Sequence, residues 1–193
     1  MTGSLLLNPE VLDKYARVIF YFADDVKLVF SDMRRLGVVY LVENAELVVG
    51  KLGVEPLSDS FTAELLLKLM KKHHIPVKIA LLDQSIIAGI GNMYADEALF
   101  AAKIHPLILT DELSTQQVQN LYHSIGSVLS LAIKSKGASI STYIRPYGGL
   151  GIAQNHFKVA HLKGQPCCVC VTPVKRIMLR SRGSYFCPRC QAA

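Results

Sequence analysis

Apolar residues recur at helical spacing without a miss along one stretch: Val118, Leu121, Tyr122, Ile125, Val128, Leu129, Ala132 and Ile133. This is the stripe of an amphipathic helix. Ser114 and Gln117 form a capping box at its start, and Leu113 and Val118 form a hydrophobic staple. Lys134, Lys136 and Gly137 supply a favourable charge and a stop at its end. An earlier helix is predicted over about Ser60 to His73, closing on Lys71-Lys72-His73-His74 before Pro76. Between the two lie a short segment at Val77 to Asp83, a turn at Gly89-Ile90-Gly91-Asn92, and a helix from about Asn92 to Lys103.

The first part of the chain has a different period. Val18 to Ala23 and Lys27 to Ser31 are β-rich runs joined at Asp24-Asp25. Val38 to Val42 reads as a third strand and Ser4 to Leu7 as a fourth. These are too few to close a sandwich by themselves, and the chain begins almost directly in a strand with nothing to cover its edge. Ile140 to Gly151, with Pro146 and three glycines, reads as a mobile loop. No internal repeat or low-complexity tract is present.

The chain has 193 residues, enough to bury a real core in one domain or two small ones. No apolar run reaches the length of a membrane span, and Leu5 to Leu7 is too short for a signal-peptide core, so a cytoplasmic protein is expected. The formal charge of +6 is unevenly spread. After Glu112 there is no acidic side chain, while Lys134, Lys136, Arg145, Lys158, Lys163, Lys175, Arg176, Arg180, Arg182 and Arg189 follow. Cations without anions to neutralise them attract polyanions. Tyr143, Ile152, Phe157, Val159, Ile177 and Phe186 interleave apolar positions with these charges, as a folded surface does and a solvated tail does not.

Cys167, Cys170, Cys187 and Cys190 form two C-x2-C pairs separated by sixteen residues. Each pair can make a tight knuckle that points two thiolates at one ion, and the intervening stretch is long enough for a hairpin that opposes the knuckles. Four thiolates satisfy tetrahedral Zn(II) and close its shell, so one structural zinc per chain is predicted. Disulfides suit secreted chains, and nothing here marks secretion. An iron–sulfur cluster would ordinarily imply a redox role, for which no other residue speaks. Cys168 is left over.

Three stretches together resemble the formamidopyrimidine-DNA glycosylase and endonuclease VIII family. They are Ser31-Asp32-Met33-Arg34-Arg35-Leu36-Gly37, then Leu81-Leu82-Asp83-Gln84 through Gly89-Ile90-Gly91-Asn92-Met93-Tyr94-Ala95 to His105-Pro106, and finally Gly164 to Gln191. The resemblance implies an α+β chain. Residues 1–54 would be part of a catalytic amino-terminal β-sandwich and 55–139 a helix–two-turn–helix domain. Residues 140–155 would be a loop near the lesion and 156–193 the zinc β-hairpin. It implies a monomer that binds duplex DNA containing a damaged base or abasic site, excises oxidised purines such as 8-oxoguanine, and then cleaves the backbone.

The physics of the second stretch agrees with that role. Its glycines let a backbone approach closely, and the helix that follows aims free N–H groups outward, which makes a phosphate seat with Asn92 as donor. By resemblance Lys78 also meets a phosphate near the lesion, and the basic cluster ending at His73 lies along the DNA backbone. Arg182 matches the arginine that binds the phosphates flanking the lesion and donates a proton in the second elimination. Arg34 and Leu36 match a pair inserted where the damaged base has flipped out, with Met1 at the position of a third void-filling residue.

The departures are as specific as the matches. The family nucleophile is an amino-terminal proline followed by a glutamate, with a lysine further along the sandwich; Met1-Thr2-Gly3-Ser4 provides none of them. The expectation is that the catalytic half-site is absent from this polypeptide, through truncation or genuine loss. Leu36 replaces the usual phenylalanine of the wedge. Val171 stands where glycine usually follows the second cysteine, so a distorted first knuckle is expected if that position needs positive φ. A glycosylase with lyase activity, a non-catalytic DNA-binding module, and a zinc ribbon that binds RNA or protein are the three functions to separate. A ribbon would need neither Asn92 nor Arg182.

Overall fold

The computed structural model describes residues 3–140, 145–147 and 149–192. Its elements are β1 (Ser4–Leu7), β2 (Ala16–Tyr21), β3 (Lys27–Ser31), α1 (Glu46–Val49), α2 (Ala63–Lys71), α3 (Val77–Leu82), α4 (Asn92–Ala101), α5 (Thr115–Lys134), β4 (Lys175–Leu179) and β5 (Arg182–Phe186). The fold is mixed α+β. It divides into two compact units, one of residues 1–44 with 131–156 and one of 45–130 with 157–193. The helical segment and the cysteine-rich segment therefore share a unit, and α5 contributes to both.

In the first unit β3 lies between β1 and β2 in an antiparallel sheet, with Ser4 opposite Ser31 and Ile19 opposite Val29. Asp24 and Asp25 both have φ 57°, a conformation that short polar side chains tolerate, and they turn β2 back into β3. Val38 to Val42 does not form the predicted strand. Its residues are exposed, Leu41 completely so, and none of the described residues offers them a ladder. A β-branched run without a paired edge has no hydrogen bonds to hold it as a strand.

In the second unit the core is helix against helix. Leu66 and Met70 of α2, Val77, Ala80 and Leu81 of α3, Ala95, Ala98 and Leu99 of α4, and Val118, Leu121 and Ile125 of α5 form one buried cluster. The segment Val77 to Asp83, read from sequence only as a short element, is helix α3, and nearly all of it is buried. The capping box of α5 is formed as its sequence predicts. The Ser114 amide donates to Gln117 Oε1 at 2.9 Å, and the Gln117 amide donates to Ser114 Oγ at 3.2 Å. The expected stripe ends early: Ile133 faces solvent. A second, smaller core gathers Phe100, Val159, Cys167, Val174 and Cys187, and so joins the end of α4 to the cysteine knuckles.

Candidate nucleic-acid interface and zinc centre

The turn before α4 is built by a side chain and by glycine. Gly89 has φ 87°, a conformation that side chains rarely adopt. Gln84 clasps the turn at both ends, its Oε1 accepting from the Gly89 amide at 2.8 Å and its Nε2 donating to the Ile90 carbonyl at 3.2 Å. Gly91 is the N-cap residue, and no side chain caps the first turn of α4. A Cβ at Gly91 would meet no protein atom within 4 Å, so the approach to these amides is open. An uncapped helix start that faces open space is an anion-binding end.

Asn92 is not an ordinary cap. Its Nδ2 donates to the carbonyl of Gly183 at 2.9 Å and so ties the start of α4 to β5. Arg182, the preceding residue of β5, is exposed beside this junction. Two residues ninety positions apart in the chain thus stand next to one uncapped helix end.

Lys78 departs from expectation. It has no exposed side-chain surface, so it is not the surface phosphate contact that the resemblance implies. Its Nζ donates to the Asn92 carbonyl and to Asp96 Oδ1, both at 2.6 Å. Helix α3 is packed on all sides, which leaves its lysine no path to solvent. Burial pulls the Lys78 ammonium down from its ordinary value, against the attraction of Asp96, and pushes the Asp96 carboxyl up to about 6.

The cysteine segment is held to the same helix. Glu97, buried on α4, accepts from three successive amides: Lys158 at 2.9 and 3.0 Å, Val159 at 2.9 Å and Ala160 at 2.8 Å. Gln191, fully buried, accepts from the Cys187 amide at 2.9 Å and donates to the Ile104 carbonyl at 2.8 Å. Strands β4 and β5 pair in register from Lys175 opposite Phe186 to Leu179 opposite Arg182. Arg180 and Ser181 turn them over with φ 42° and 64°, the paired positive values of the tight hairpin turn.

Sγ of Cys167, Cys170, Cys187 and Cys190 all lie within 4.8 Å of one another. Cys170 and Cys187 are 3.4 Å apart and Cys167 and Cys190 3.9 Å. A tetrahedron with Zn–S bonds of about 2.3 Å has S···S edges of about 3.8 Å, so the four sulfurs fit one zinc ion. Amides of Val169 and Cys190 point at the sulfurs of Cys167 and Cys187, at 3.5 and 3.4 Å, as in N–H···S knuckles. Val171 does have positive φ, 57°. The knuckle is nevertheless not distorted: the Val171 amide donates to the Cys167 carbonyl at 2.9 Å, and the strain stays in the valine backbone. Cys168 is exposed and outside the cluster.

Comparison with known proteins bears on the whole chain. Residues 52–144 match the formamidopyrimidine-DNA glycosylase H2TH domain, and residues 164–193 match the zinc finger found in FPG and IleRS. The formamidopyrimidine-DNA glycosylase of Cytobacillus firmus is 39% identical over 186 residues, which is 94% of this chain and 68% of that protein. That of Chloroflexus aggregans is 40% identical over 195 residues, 99% of this chain and 71% of that one. The chain belongs to the formamidopyrimidine-DNA glycosylase family. The crystal structure of the Thermus thermophilus MutM (Fpg) protein superposes with a TM-score of 0.91 at 34% identity, covering 99% of this chain and 73% of that one. The Lactococcus lactis Fpg in complex with abasic-site DNA gives 0.90 at 32% identity, with 100% and 73% covered. The zinc-finger match and the four convergent sulfurs together assign one structural zinc per chain.

The remaining family positions fall as follows. Arg34 and Leu36 are exposed, Leu36 by 62%, on a loop organised by Asp32. The buried Asp32 carboxylate accepts from the amides of Arg34, Leu36 and Gly37 at 3.0, 2.8 and 2.8 Å. A Cβ on Gly37 would come within 2.2 Å of the Phe30 ring, so a side chain there would force the ring aside. Met1 lies outside the described residues, as do residues 141–144 of the expected mobile loop. His73 is half-buried, and its carbonyl accepts from the Thr110 hydroxyl. In the basic cluster beside it, Lys71 donates to the carbonyls of Asp111 and Leu113, and His74 pairs with the Asp111 carboxylate at 2.8 Å. The hydrogen bond to Asp111 raises the His74 pKa above its ordinary value.

Sequence reasoning missed Gln84, Asp96, Glu97, Gln191 and the structuring role of Asp32. Gln84 and Asp32 lie within the motif stretches, and Asp96 and Glu97 are the only two acidic residues between Asp83 and Asp111. That isolation was the available signal.

Metal binding must displace protons here. Burial raises Cys187 and lifts Cys190 to about 12, whereas the Thr172 hydroxyl and amide draw Cys170 down to about 6. Thiols held above neutrality bind metal only by releasing protons, so zinc affinity falls as pH falls. Elemental analysis of protein purified without added metal should give one zinc per chain, with release on acidification. Cys187→Ser should lose the metal. Iron in place of zinc, or unchanged metal in that variant, would contradict the assignment.

Proposed function

We propose that this chain is the DNA-gripping portion of a base-excision repair glycosylase and binds duplex DNA containing a damaged base or abasic site. The observation that carries the reading is the junction of Asn92 with β5, which sets the exposed Arg182 beside the uncapped start of α4. A phosphate there would accept from helix amides and from the guanidinium, the charge-assisted fork that suits Arg. Solved complexes of relatives support the partner, since the Lactococcus lactis protein was crystallised with DNA containing an abasic site or Fapy-dG. Among the described residues no helix is long and apolar enough to cross a membrane.

In this reading Arg34 and Leu36 enter the duplex from the Asp32-braced loop, together with Met1, and fill the space left by the extruded nucleotide. A loop pinned by three amide bonds loses little entropy on insertion. Leu36 fills volume without aromatic stacking. The zinc is structural, its shell closed by four sulfurs, and takes no part in the chemistry. Arg182, by family likeness, donates the proton of the second elimination. The family activity, excision of oxidised purines with associated lyase action, is the reaction these parts serve.

We further infer that Lys78 does not supply the amine that attacks the sugar. Attack at C1′ with Schiff-base formation needs an amine that is partly unprotonated at neutral pH, and a secondary amine at a chain start meets this need. Lys78 is buried and paired, which removes it from that role.

Arg182→Ala should weaken binding to a duplex bearing an abasic-site analogue by about tenfold and lower the salt slope by about one. Zinc content should be unchanged. Parent-like affinity in that variant, or binding of the parent that ignores salt, would overturn the proposed surface.

A further inference from the structure

Three buried polar atoms have no partner among the described residues: Asn92 Oδ1, Asp96 Oδ2 and Ser184 Oγ. All belong to the seam between α4 and β5, where Asn92 reaches Gly183 and the Tyr185 amide acts on Asp96. Beneath the seam lies the fully buried Lys78–Asp96 pair at 2.6 Å. Buried ion pairs are costly to assemble, and a packed apolar pair is often as stable. A lysine in a helical core therefore invites a role beyond stability. Its geometry suggests one. Lys78 Nζ sits between the carbonyl of Asn92, in the first turn of α4, and the carboxylate of Asp96, one turn deeper. The ammonium is thus held against a main-chain group of the first turn of α4.

We propose that Asp96 is a positioning residue for phosphate binding, which holds Lys78 as a cation against the first turn of α4. The proposal deepens the DNA-binding reading and rests on it. Lys78 then acts on a phosphate through space, from a buried position that bulk solvent screens little. The charged groups that act on Lys78 are Asp96 and Glu97 of α4 and Arg182 of β5. Glu97 is engaged by three amides, and Arg182 repels the ammonium, so Asp96 is the carboxylate in contact that keeps Lys78 charged. Without Asp96, burial would drive Lys78 to its neutral amine as pH rises, and the seat would lose a charge.

The test is the pH profile of affinity for a duplex containing an abasic-site analogue, measured at fixed salt for the parent, Asp96→Asn and Lys78→Met. Asp96→Asn keeps a hydrogen-bond acceptor for Lys78 but no charge. It should bind like the parent near pH 6 and lose about tenfold relative to it by pH 8.5, the worth of one charge-assisted contact. Lys78→Met should be weaker by a similar factor at both pH values. A purely structural role for Asp96 would lower affinity by the same factor at every pH, and that result, or a parent-like profile for Asp96→Asn, overturns the proposal. If Asp96→Asn does not fold, Lys78→Met/Asp96→Leu replaces the pair with apolar side chains. That variant should bind weakly at both pH values, and parent-like binding would overturn the proposal. Absence of salt-dependent binding by the parent itself would instead reject the DNA-binding reading on which the proposal stands.

Discussion

Helix α4 is ten residues long, and the placement of the cysteine segment depends on it. Asn92 holds the carbonyl of Gly183, Glu97 gathers the amides of Lys158, Val159 and Ala160, and Phe100 packs into the core that contains Cys167 and Cys187. Just past its end, the Ile104 carbonyl is held by Gln191. Buried polar groups must be paired or pay desolvation, so these bonds admit few alternative arrangements. Two consequences follow. The zinc hairpin is one body with the helical core, and Arg182 stands beside the start of α4. Neither β4–β5 pairing nor the metal could set that second relation, because both act within the hairpin.

The strain in the chain lies where geometry is imposed from outside the residue. Val171 adopts φ 57° because the knuckle requires it, and Arg180 and Ser181 share the left-handed region because two-residue hairpin turns demand it. Such positions cost of order 1–3 kcal/mol for a β-branched residue and less for short polar ones. The four-sulfur cluster and the α4 contacts over-determine the hairpin, which lets it tolerate valine at a position suited to glycine. Asp32 plays the corresponding part in the first unit. One carboxylate satisfies three loop amides and leaves Arg34 and Leu36 facing outward.

Much of this was legible in the sequence, and for identifiable reasons. Ser114 and Gln117 encode their own reciprocal bonds, and the periodicity of α5 is local. The C-x2-C pairs encode a metal site through spacing alone. The Gly89 to Asn92 turn carries its glycine requirement in its composition. What failed was non-local. Val38 to Val42 has strand composition but no ladder partner, a fact no local pattern contains. Lys78 reads as a surface cation until the burial of α3 is known, and its partner Asp96 lies a helix away. Glu97 and Gln191 look like ordinary polar residues until the segments they join are brought together.

The central claim is that the start of α4 and Arg182 form one phosphate site because Asn92 locks them together. A crystal structure of the 193-residue protein bound to a duplex with an abasic-site analogue tests it most directly. The account predicts a single phosphate flanking the lesion that accepts from the first-turn amides of α4 and from the Arg182 guanidinium, with the Asn92–Gly183 bond intact. A duplex lying elsewhere, or Arg182 and α4 contacting separate phosphates after that bond has broken, would contradict it.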